Sequence, residues 1–358
     1  MTTQLDAPAL DLERVQEFAM KVAVDRAIAY NGVLAHLGDR LGLWRSLASV
    51  ERTTSAQLAQ RSGLAERYVR EWLATQAAIG YLTYDPATTT FALPAEHAMV
   101  LADDDSPAAG VAGFEVITAV YASVDRLAHA YATGDGVPWH DHDPRLFAGV
   151  DRFFRTLYRN SLFSEWLPAV TGLMERLESG IRVIDVGCGL GSAVVMMAER
   201  FPRSTFVGID SHAESVRRAT EAAEAAGVGD RVRFEVSDAA TFTGSYDLVC
   251  FFDSVHDLGD PVGALAHCRG RLAEGGQVFA VEPFATDRLE DSLDSPVTLT
   301  YYAASSALCV PHSISDGGAA LGAQAGPARL TAAFVDAGFA TARVAAETPF
   351  NLVIEARA

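Results

Sequence analysis

Two spacings of apolar residues alternate along the chain and predict where its helices and strands lie. In the N-terminal part, apolar positions recur at helical spacing, and Leu12–His36 is predicted to form one or two amphipathic helices. From residue 182 onward, short apolar runs typical of buried strands alternate with helical stretches. The runs that predict four successive strands are Val183–Val186, Ser204–Asp210, Val232–Val236 and Tyr246–Asp253.

The alternation of strands and helices indicates a parallel sheet with helices packed against it. A fifth strand is predicted at Gln277–Glu282, and Thr341–Ala346 with Asn351–Glu355 predicts a closing hairpin. The fold class is therefore α/β, with a Rossmann-like sheet in the C-terminal half of the chain.

The N-terminal part is predicted to contain a winged helix and to be mostly helical. Thr54 caps one short helix, and Glu66–Ile79 predicts a second one after a Ser62-Gly63 turn. A β-hairpin is predicted around the turn at Asp85-Pro86. A helix–turn–helix followed by a hairpin is typical of winged-helix domains.

The length of 358 residues exceeds that of one typical domain. Three segments are predicted. Residues 1–110 form the winged-helix domain, residues 111–178 form a helical connector that caps a substrate pocket, and residues 179–358 form the Rossmann-like domain.

A glycine-rich turn follows the first strand of the predicted sheet and indicates a nucleotide-binding βαβ unit. Gly187, Gly189 and Gly191 are spaced G-x-G-x-G, and a helix follows them. Two residues ahead of the turn, Asp185 would repel a pyrophosphate. It would suit S-adenosylmethionine (SAM), whose ammonium group can approach a carboxylate while its own carboxylate takes N–H bonds from the turn.

Each of the next three strands also ends at an acidic residue. Asp210, followed by Ser211, lies 210 − 191 = 19 residues after Gly191, near the offset at which a carboxylate binds ribose hydroxyls. Asp238, followed by Ala239, could accept from the adenine amino group, and Asp253 ends the fourth strand. These residues, together with Asp185 and the three glycines, are the predicted SAM-binding residues, because ligands of open α/β sheets lie at the carboxyl ends of the strands.

The run Val-Ile-Asp-Val-Gly-Cys-Gly-Leu-Gly resembles the first motif of the class I SAM-dependent methyltransferases. The second, third and fourth motifs are matched by Gly208-Ile209-Asp210, Ser237-Asp238-Ala239 and Tyr246-Asp247-Leu248-Val249. The resemblance covers roughly residues 182–280 well and implies a sheet whose last strand is antiparallel. An ordinary strand–helix turn with helix-capping acids is the structural alternative.

His256 is the predicted catalytic base, because histidine can accept a hydroxyl proton near neutral pH. His256-Asp257 resembles the His-Asp pair of winged-helix O-methyltransferases, in which that His is the base. There the pair follows the fifth strand motif, whereas here it follows the fourth strand. Glu282 could orient the imidazole. The alternative is that His256 caps a helix or packs in the core.

Three other features bear on the acceptor site. The aromatic residues of Phe147–Leu177 form the core or wall an apolar pocket, and the long segment Pro283–Gly326 is predicted to cover the site. Metal binding by His140–Asp143 is disfavoured, since adjacent loop residues seldom converge on one ion, and no metal is predicted.

The formal net charge of −18 disfavours binding to nucleic acid or to an anionic membrane. No apolar run approaches the ~18 residues of a membrane span, and no signal peptide is recognised. Cys188, Cys250, Cys268 and Cys309 are scattered, which favours reduced thiols and a cytoplasmic protein.

The sequence thus predicts a SAM-dependent methyltransferase of a small, hydrophobic molecule, most simply by O-methylation. C- and N-methylation remain open, as does a winged-helix transcription regulator with a SAM-sensing domain. The second helix of the winged helix is charge-balanced and the wing has no Lys or Arg, which disfavours DNA binding. The N-terminal part resembles the dimerisation module of small-molecule O-methyltransferases, which implies a homodimer.

Overall fold

The computed structural model describes residues 10–358 and divides the chain into two compact units. The first unit ends at Thr118 and the second spans Ala119–Ala358. Among the described residues, no helix combines the length and the apolar character that crossing a membrane requires.

The first unit is mostly helical and contains one small hairpin. Thr54 and Gln57 form a capping box at the start of its third helix, as the predicted cap requires. The elements are α1 (Leu12–Arg40), α2 (Leu43–Ala48), α3 (Ser55–Ser62), α4 (Glu66–Ala78), β1 (Thr83–Asp85), β2 (Thr90–Ala92) and α5 (Ala95–Leu101), and α6 (Ala112–Ala122) follows them.

A compact apolar core joins the helices of this unit to its hairpin. The rings of Trp44 and Trp72 meet edge to face with centroids 4.6 Å apart, and Leu58 and Leu73 are fully buried beside them. Phe91 of the hairpin belongs to the same cluster. The predicted winged-helix arrangement is confirmed.

The second unit alternates strands with helices. Its helices are α7 (Val124–Thr133), α8 (Arg145–Leu157), α9 (Leu173–Ser179), α10 (Ser192–Arg200), α11 (Ala213–Ala225), α12 (Pro261–Gly270), α13 (Pro296–Ala304), α14 (Val310–Ser315) and α15 (Gly326–Asp336). Its strands are β3 (Arg182–Val186), β4 (Thr205–Asp210), β5 (Val232–Val236), β6 (Tyr246–Phe252), β7 (Leu272–Pro283), β8 (Thr341–Glu347) and β9 (Asn351–Arg357).

These strands form one seven-stranded sheet in the order β5-β4-β3-β6-β7-β9-β8. The pairs from β5 to β7 are parallel, whereas β9 is antiparallel to both of its neighbours. The Rossmann-like sheet with an antiparallel last strand is therefore confirmed. The order reverses beside β3, and a ligand crevice is expected at such a point.

Both faces of the sheet are buried, which explains why its strands are continuous apolar runs. Val183 and Leu248 belong to the core on one face, and Ile184 and Val249 belong to the core on the other. Adjacent residues of a strand point to opposite faces, so successive residues of β3 and β6 contribute alternately to the two cores.

Several element boundaries differ from the sequence prediction. The first helix is single and runs on to Arg40. Helix α8 continues into π-helical turns at Tyr158–Trp166, and the segment 283–326 is largely helical. The loop after α7 touches α14 through its backbone, where the N–H of Val137 donates to the carbonyl of Pro311 at 2.8 Å. A side chain on Gly136 would overlap the backbone of α14.

Candidate functional site

A cavity of about 220 Å³ lies at the carboxyl ends of β3, β4, β5 and β6. It contains seven of the ten predicted site residues, which come from four different strand ends. The seven are Gly187, Gly189, Asp210, Ser211, Asp238, Ala239 and Asp253, and the three that do not line the cavity are Asp185, Gly191 and His256.

The glycine turn after β3 is held by the acid that ends β4. The backbone N–H of Gly189 donates to Asp210 Oδ2 at 2.9 Å, and no atom lies within 4 Å of where a Cβ of Gly189 would stand. Gly191 instead serves packing, because a Cβ there would lie 2.5 Å from the ring of Phe234. Gly191 does not line the cavity, and its predicted contact with a ligand stays a prediction.

Asp210 is the central polar residue of the cavity. Its Oδ1 accepts from the backbone N–H of His212 at 2.8 Å, and its Oδ2 accepts from Gly189. Burial raises the pKa of this carboxyl, although the two backbone N–H groups oppose the shift. The ring of His212 stacks on Phe147 with centroids 4.3 Å apart, so an aromatic wall begins next to Asp210.

The acid that follows β5 is also held by the backbone. Asp238 Oδ1 accepts from the N–H of Ala240 at 2.7 Å, which fixes the carboxyl at the rim of the cavity. Ala239 lines the cavity beside it. The two residues lie next to Asp210, because β5 pairs with β4 in the sheet.

Asp185 is buried in β3 and does not line the cavity. Its Oδ1 has no hydrogen-bond partner. Burial, and then the negative charge of Asp210, raise the pKa of this carboxyl to about 8. Asp185 thus lies behind the glycine turn, and the predicted approach of the SAM ammonium to it, directly or through water, stays a prediction.

Asp253 directly follows β6 and has a left-handed backbone conformation, with φ of 54°. Both of its carboxyl oxygens are buried and have no hydrogen-bond partner. Burial, followed by the charge of Glu282, raises its pKa well above the ordinary value. The prediction placed this residue in the site, and the structure adds that its carboxyl is unpartnered.

His256 is buried in a short turn after β6, and its side chain does not line the cavity. Its Nδ1 lies 2.6 Å from Glu282 Oε2, and its Nε2 lies 3.2 Å from Asp257 Oδ1. Burial alone would lower the pKa of His256, but the two carboxylates outweigh it and hold the pKa well above the ordinary value. The imidazole is thus enclosed between two carboxylates, and the role of His256 as a base stays a prediction.

Glu282 holds the segment that follows β6 against β7. This fully buried carboxylate accepts from the backbone N–H groups of Ser254 at 3.2 Å, Val255 at 2.9 Å and His256 at 3.2 Å. It also receives Nδ1 of His256, so it is the carboxylate partner that the sequence suggested for this imidazole.

The opposite wall of the cavity is aromatic. Phe147, Phe154 and Tyr158 of the aromatic segment line it, whereas Trp166 is fully buried in the core. The sequence left open whether these aromatic residues pack in the core or wall a pocket, and the structure shows some of them in each place. The predicted cap is also present, because His312 and Asp316 of the 283–326 segment line the cavity.

Sequence reasoning missed several lining residues. Trp139 and Asp151 carry no motif, and neither do His312 and Asp316, whose position depends on how the covering segment folds. The loop His140–Asp143 does not converge on one point. His142 turns inward to Ser123 at 3.2 Å, and Asp143 pairs with Arg145 at 2.7 Å.

Comparison with known families separates the two units in the same way. Residues 29–103 match the Rv2258c-like winged HTH domain, and residues 177–321 match the family described as methyltransferase domain. Residues 177–321 are a methyltransferase domain. The resemblance to SAM-dependent methyltransferases that the four motifs indicated is confirmed.

Curated relatives match about a quarter of this chain. Trans-aconitate 2-methyltransferase of Deinococcus radiodurans is 35% identical over 101 residues, which is 28% of this chain and 37% of that protein. The chain spans between about a quarter and just over a third of the length of such relatives.

Solved structures share the fold over the whole chain, including the methyltransferase domain. An O-methyltransferase family protein from Burkholderia thailandensis has a TM-score of 0.68 and 17% identity, covering 98% of this chain and 99% of that one. Human N-acetylserotonin methyltransferase, solved with SAM, has a TM-score of 0.68 and 14% identity, covering 99% of each chain. At such identities the likeness establishes the fold.

Proposed function

We propose that this protein transfers a methyl group from SAM to a small, hydrophobic molecule, with a hydroxyl oxygen as the favoured acceptor. The observation that carries the proposal is the charge of the cavity. Six aspartates line it, and within residues 10–358 no Lys or Arg does. SAM has a sulfonium and an ammonium group that these carboxylates attract, whereas they would repel the pyrophosphate of a dinucleotide.

Each part of SAM has a complementary group along the sheet edge. The glycine turn and the free N–H groups at the start of α10 suit the carboxylate of the methionine. Asp210 and Ser211 suit the ribose hydroxyls, while Asp238 and Ala239 suit the adenine. Asp185 contributes negative charge behind the turn, where the ammonium would lie.

The remaining wall suits an apolar acceptor. Phe147, Phe154 and Tyr158 of residues 111–178 form this wall, which supports a capping role for that segment ahead of the domain at 179–358. Methyl transfer from a sulfonium requires chiefly alignment and exclusion of water, which enclosure by aromatic rings provides. C- and N-methylation use the same enclosure.

Calorimetry tests the cofactor, and transfer of a radiolabelled methyl group tests the reaction. We expect the wild-type protein to bind SAM and its demethylated product, S-adenosylhomocysteine, and to label members of a panel of phenols, amines and carbon acids. Tighter binding of NAD than of SAM would contradict the proposal. Binding of SAM without any labelled acceptor would support the SAM-sensing alternative instead.

Binding of SAM should release protons near pH 7. Because the pKa of Asp185 is raised to about 8, this carboxyl is protonated in the free protein at about pH 7. The positive charges of SAM favour the carboxylate, so its proton leaves and the affinity rises as the pH increases towards 8. Calorimetry in buffers of different ionisation enthalpy should show about one proton more for wild type than for Asp185→Asn. Equal proton counts would refute this prediction.

Helix α1 supports the proposed homodimer. Its first five turns bury no residue against the described chain, and the buried residues begin at Asn31. Large apolar side chains are exposed along these turns, among them Phe18 at 66% and Met20 at 67%. An isolated helix of this kind is marginal in water, so a second copy of the helix is the partner proposed here.

Charge at two of these positions should dissociate the dimer. Wild type should elute with twice the chain mass of 38.1 kDa, and Phe18→Glu combined with Val22→Glu should elute at the chain mass. Gln16→Glu, which adds a charge at an exposed polar position of the same helix, is the matched control. Light scattering on the eluted protein gives the mass, and a monomeric wild type would contradict the proposal.

We propose a cytoplasmic location for the protein. We do not propose that it binds nucleic acid. On α4, Arg70 pairs with Glu66 and Arg67 pairs with Glu71, so this helix offers no net positive face. All four cysteines are free, as in proteins of reducing compartments.

A further inference from the structure

Two aromatic side chains line the cavity from segments that carry none of the four sequence motifs. Trp139 lies in a short turn after α7, and His312 lies in α14 of the segment 283–326. The centroids of their rings are 5.7 Å apart. The backbone hydrogen bond between Val137 and Pro311 lies next to both residues and holds the two segments side by side. The two rings therefore form one joint part of the cavity wall.

A series of contacts connects these rings to Asp210, the residue that suits the ribose. The backbone N–H of His212 donates to Asp210 Oδ1 at 2.8 Å, and the ring of His212 stacks on Phe147. Phe147 meets Trp139 edge to face, with centroids 6.4 Å apart. Burial raises the pKa of Asp210, and a charge on His312 is among the effects that oppose the shift. Trp139 and His312 thus lie on the Asp210 side of the cavity.

The part of the aromatic wall that suits the acceptor lies at the other end. Phe154 stacks on Tyr158, and Tyr158 meets Phe252 at the end of β6 with centroids 5.5 Å apart. In the sheet, β6 and β4 lie on opposite sides of β3. The wall therefore has two ends, one beside β6 and one beside Asp210, where Trp139 and His312 lie.

His312 has one ring nitrogen that a bound molecule can reach. Nδ1 is buried, whereas the side chain as a whole is 21% exposed and lines the cavity. Nε2 lies 3.8 Å from Asp316 Oδ2, which is too far for a hydrogen bond. Within residues 10–358, Nε2 is therefore available to a ligand.

Trp139 differs in its surroundings from the other three tryptophans of the chain. Trp44 and Trp72 belong to the core of the first unit, and Trp166 is fully buried in the second. Trp139 lines the cavity. Aromatic side chains at binding sites pack against the faces of nucleobases, and adenine is the nucleobase of SAM.

We propose that Trp139 and His312 bind the adenosine part of SAM, with the indole ring against the adenosine and Nε2 of His312 in a hydrogen bond with a ribose hydroxyl. This inference rests on the proposed methyltransferase function. Asp210 at the sheet edge and His312 in the covering segment 283–326 then hold the ribose from opposite sides. The end of the wall at Phe154 and Tyr158 is left for the acceptor.

Tryptophan fluorescence tests the role of Trp139. SAM and adenosine should both change the emission of wild type, because both bring the adenosine to this ring. Methionine alone should leave the emission unchanged. Trp139→Phe should lose the response to SAM and to adenosine, since the other three tryptophans lie in cores.

Calorimetry tests the role of His312. His312→Ala should weaken the binding of SAM and of adenosine about tenfold each, as the loss of one hydrogen bond predicts. His312→Gln keeps a side-chain group that can hydrogen-bond and should lose less. His129→Ala removes an exposed histidine outside the cavity, so it is the matched control and should bind SAM as wild type does. Circular dichroism establishes that each variant is folded.

Two results would overturn the proposal. One is a SAM affinity of His312→Ala within twofold of wild type, and the other is an emission change that persists in Trp139→Phe. Variants that bind SAM normally but label less acceptor would assign the two residues to the acceptor wall, and the methyltransferase assignment would stand. Failure of wild type to bind SAM would instead remove the proposed function.

Discussion

Replacing Asp210 by alanine should lower the affinity for SAM about a hundredfold. The substitution removes a carboxylate expected to accept from two ribose hydroxyls, and charge-assisted hydrogen bonds contribute about 1.5–3 kcal/mol each. It also releases the glycine turn, because Asp210 Oδ2 accepts from Gly189 and Oδ1 accepts from His212. Calorimetric titration of SAM into the purified variant measures the loss.

The control for this prediction is Asp230→Ala, which removes an exposed carboxylate in the same domain that pairs with Arg231. It should bind SAM as wild type does. Asp210→Asn separates the two effects, because one amide oxygen can still accept from the backbone while the charge is lost. If Asp210→Ala bound SAM within twofold of wild type, the cofactor would have to lie elsewhere.

Glu282→Gln should destabilise the protein by about 3–5 kcal/mol, the range expected when one partner of a buried ion pair is removed. The carboxylate accepts four hydrogen bonds, three from backbone N–H groups and one from His256. Glutamine brings an NH₂ group among these donors and removes the negative charge beside the imidazole. Denaturation with guanidinium chloride, monitored by circular dichroism, gives the change in the free energy of unfolding.

The pH dependence of stability distinguishes the ion pair from simple packing. The folded-state pKa of His256 is raised above its unfolded value, so its contribution is complete below the unfolded pKa of about 6.5. The contribution is lost as the pH rises through the folded-state pKa. The difference between wild type and Glu282→Gln should therefore be largest at acidic pH and shrink in alkali. Glu178→Gln, at an exposed pair with Arg200, should leave stability unchanged at every pH.

Local patterns predicted the parts of the site that single strands determine. The apolar runs located β3 to β6, and the acids at their ends converge because parallel strands end at one edge of the sheet. The same reasoning could not separate Gly189 from Gly191. That difference depends on Phe234, which is distant in the chain and packs where a side chain of Gly191 would stand.

The role of His256 shows a second reason why sequence patterns fall short. The motif placed a histidine near the catalytic edge, and the structure does place it there. Whether its ring opens to the cavity depends on Glu282 of β7 and on the turn at Ser254–Asp257, which encloses the ring. Likewise, His312 and Asp316 entered the site through the fold of the covering segment, which has no periodicity that predicts its course.

The backbone contact between Gly136 and α14 joins two walls of the cavity, the loop after α7 and the covering segment 283–326. The N–H of Val137 is bonded to the carbonyl of Pro311, and no side chain separates the two strips of chain. We expect the two segments to move together, because separating them would leave a buried N–H and a buried carbonyl without hydrogen-bond partners. If the proposed exchange of S-adenosylhomocysteine for SAM requires this side of the cavity to open, both segments would have to move in the same step.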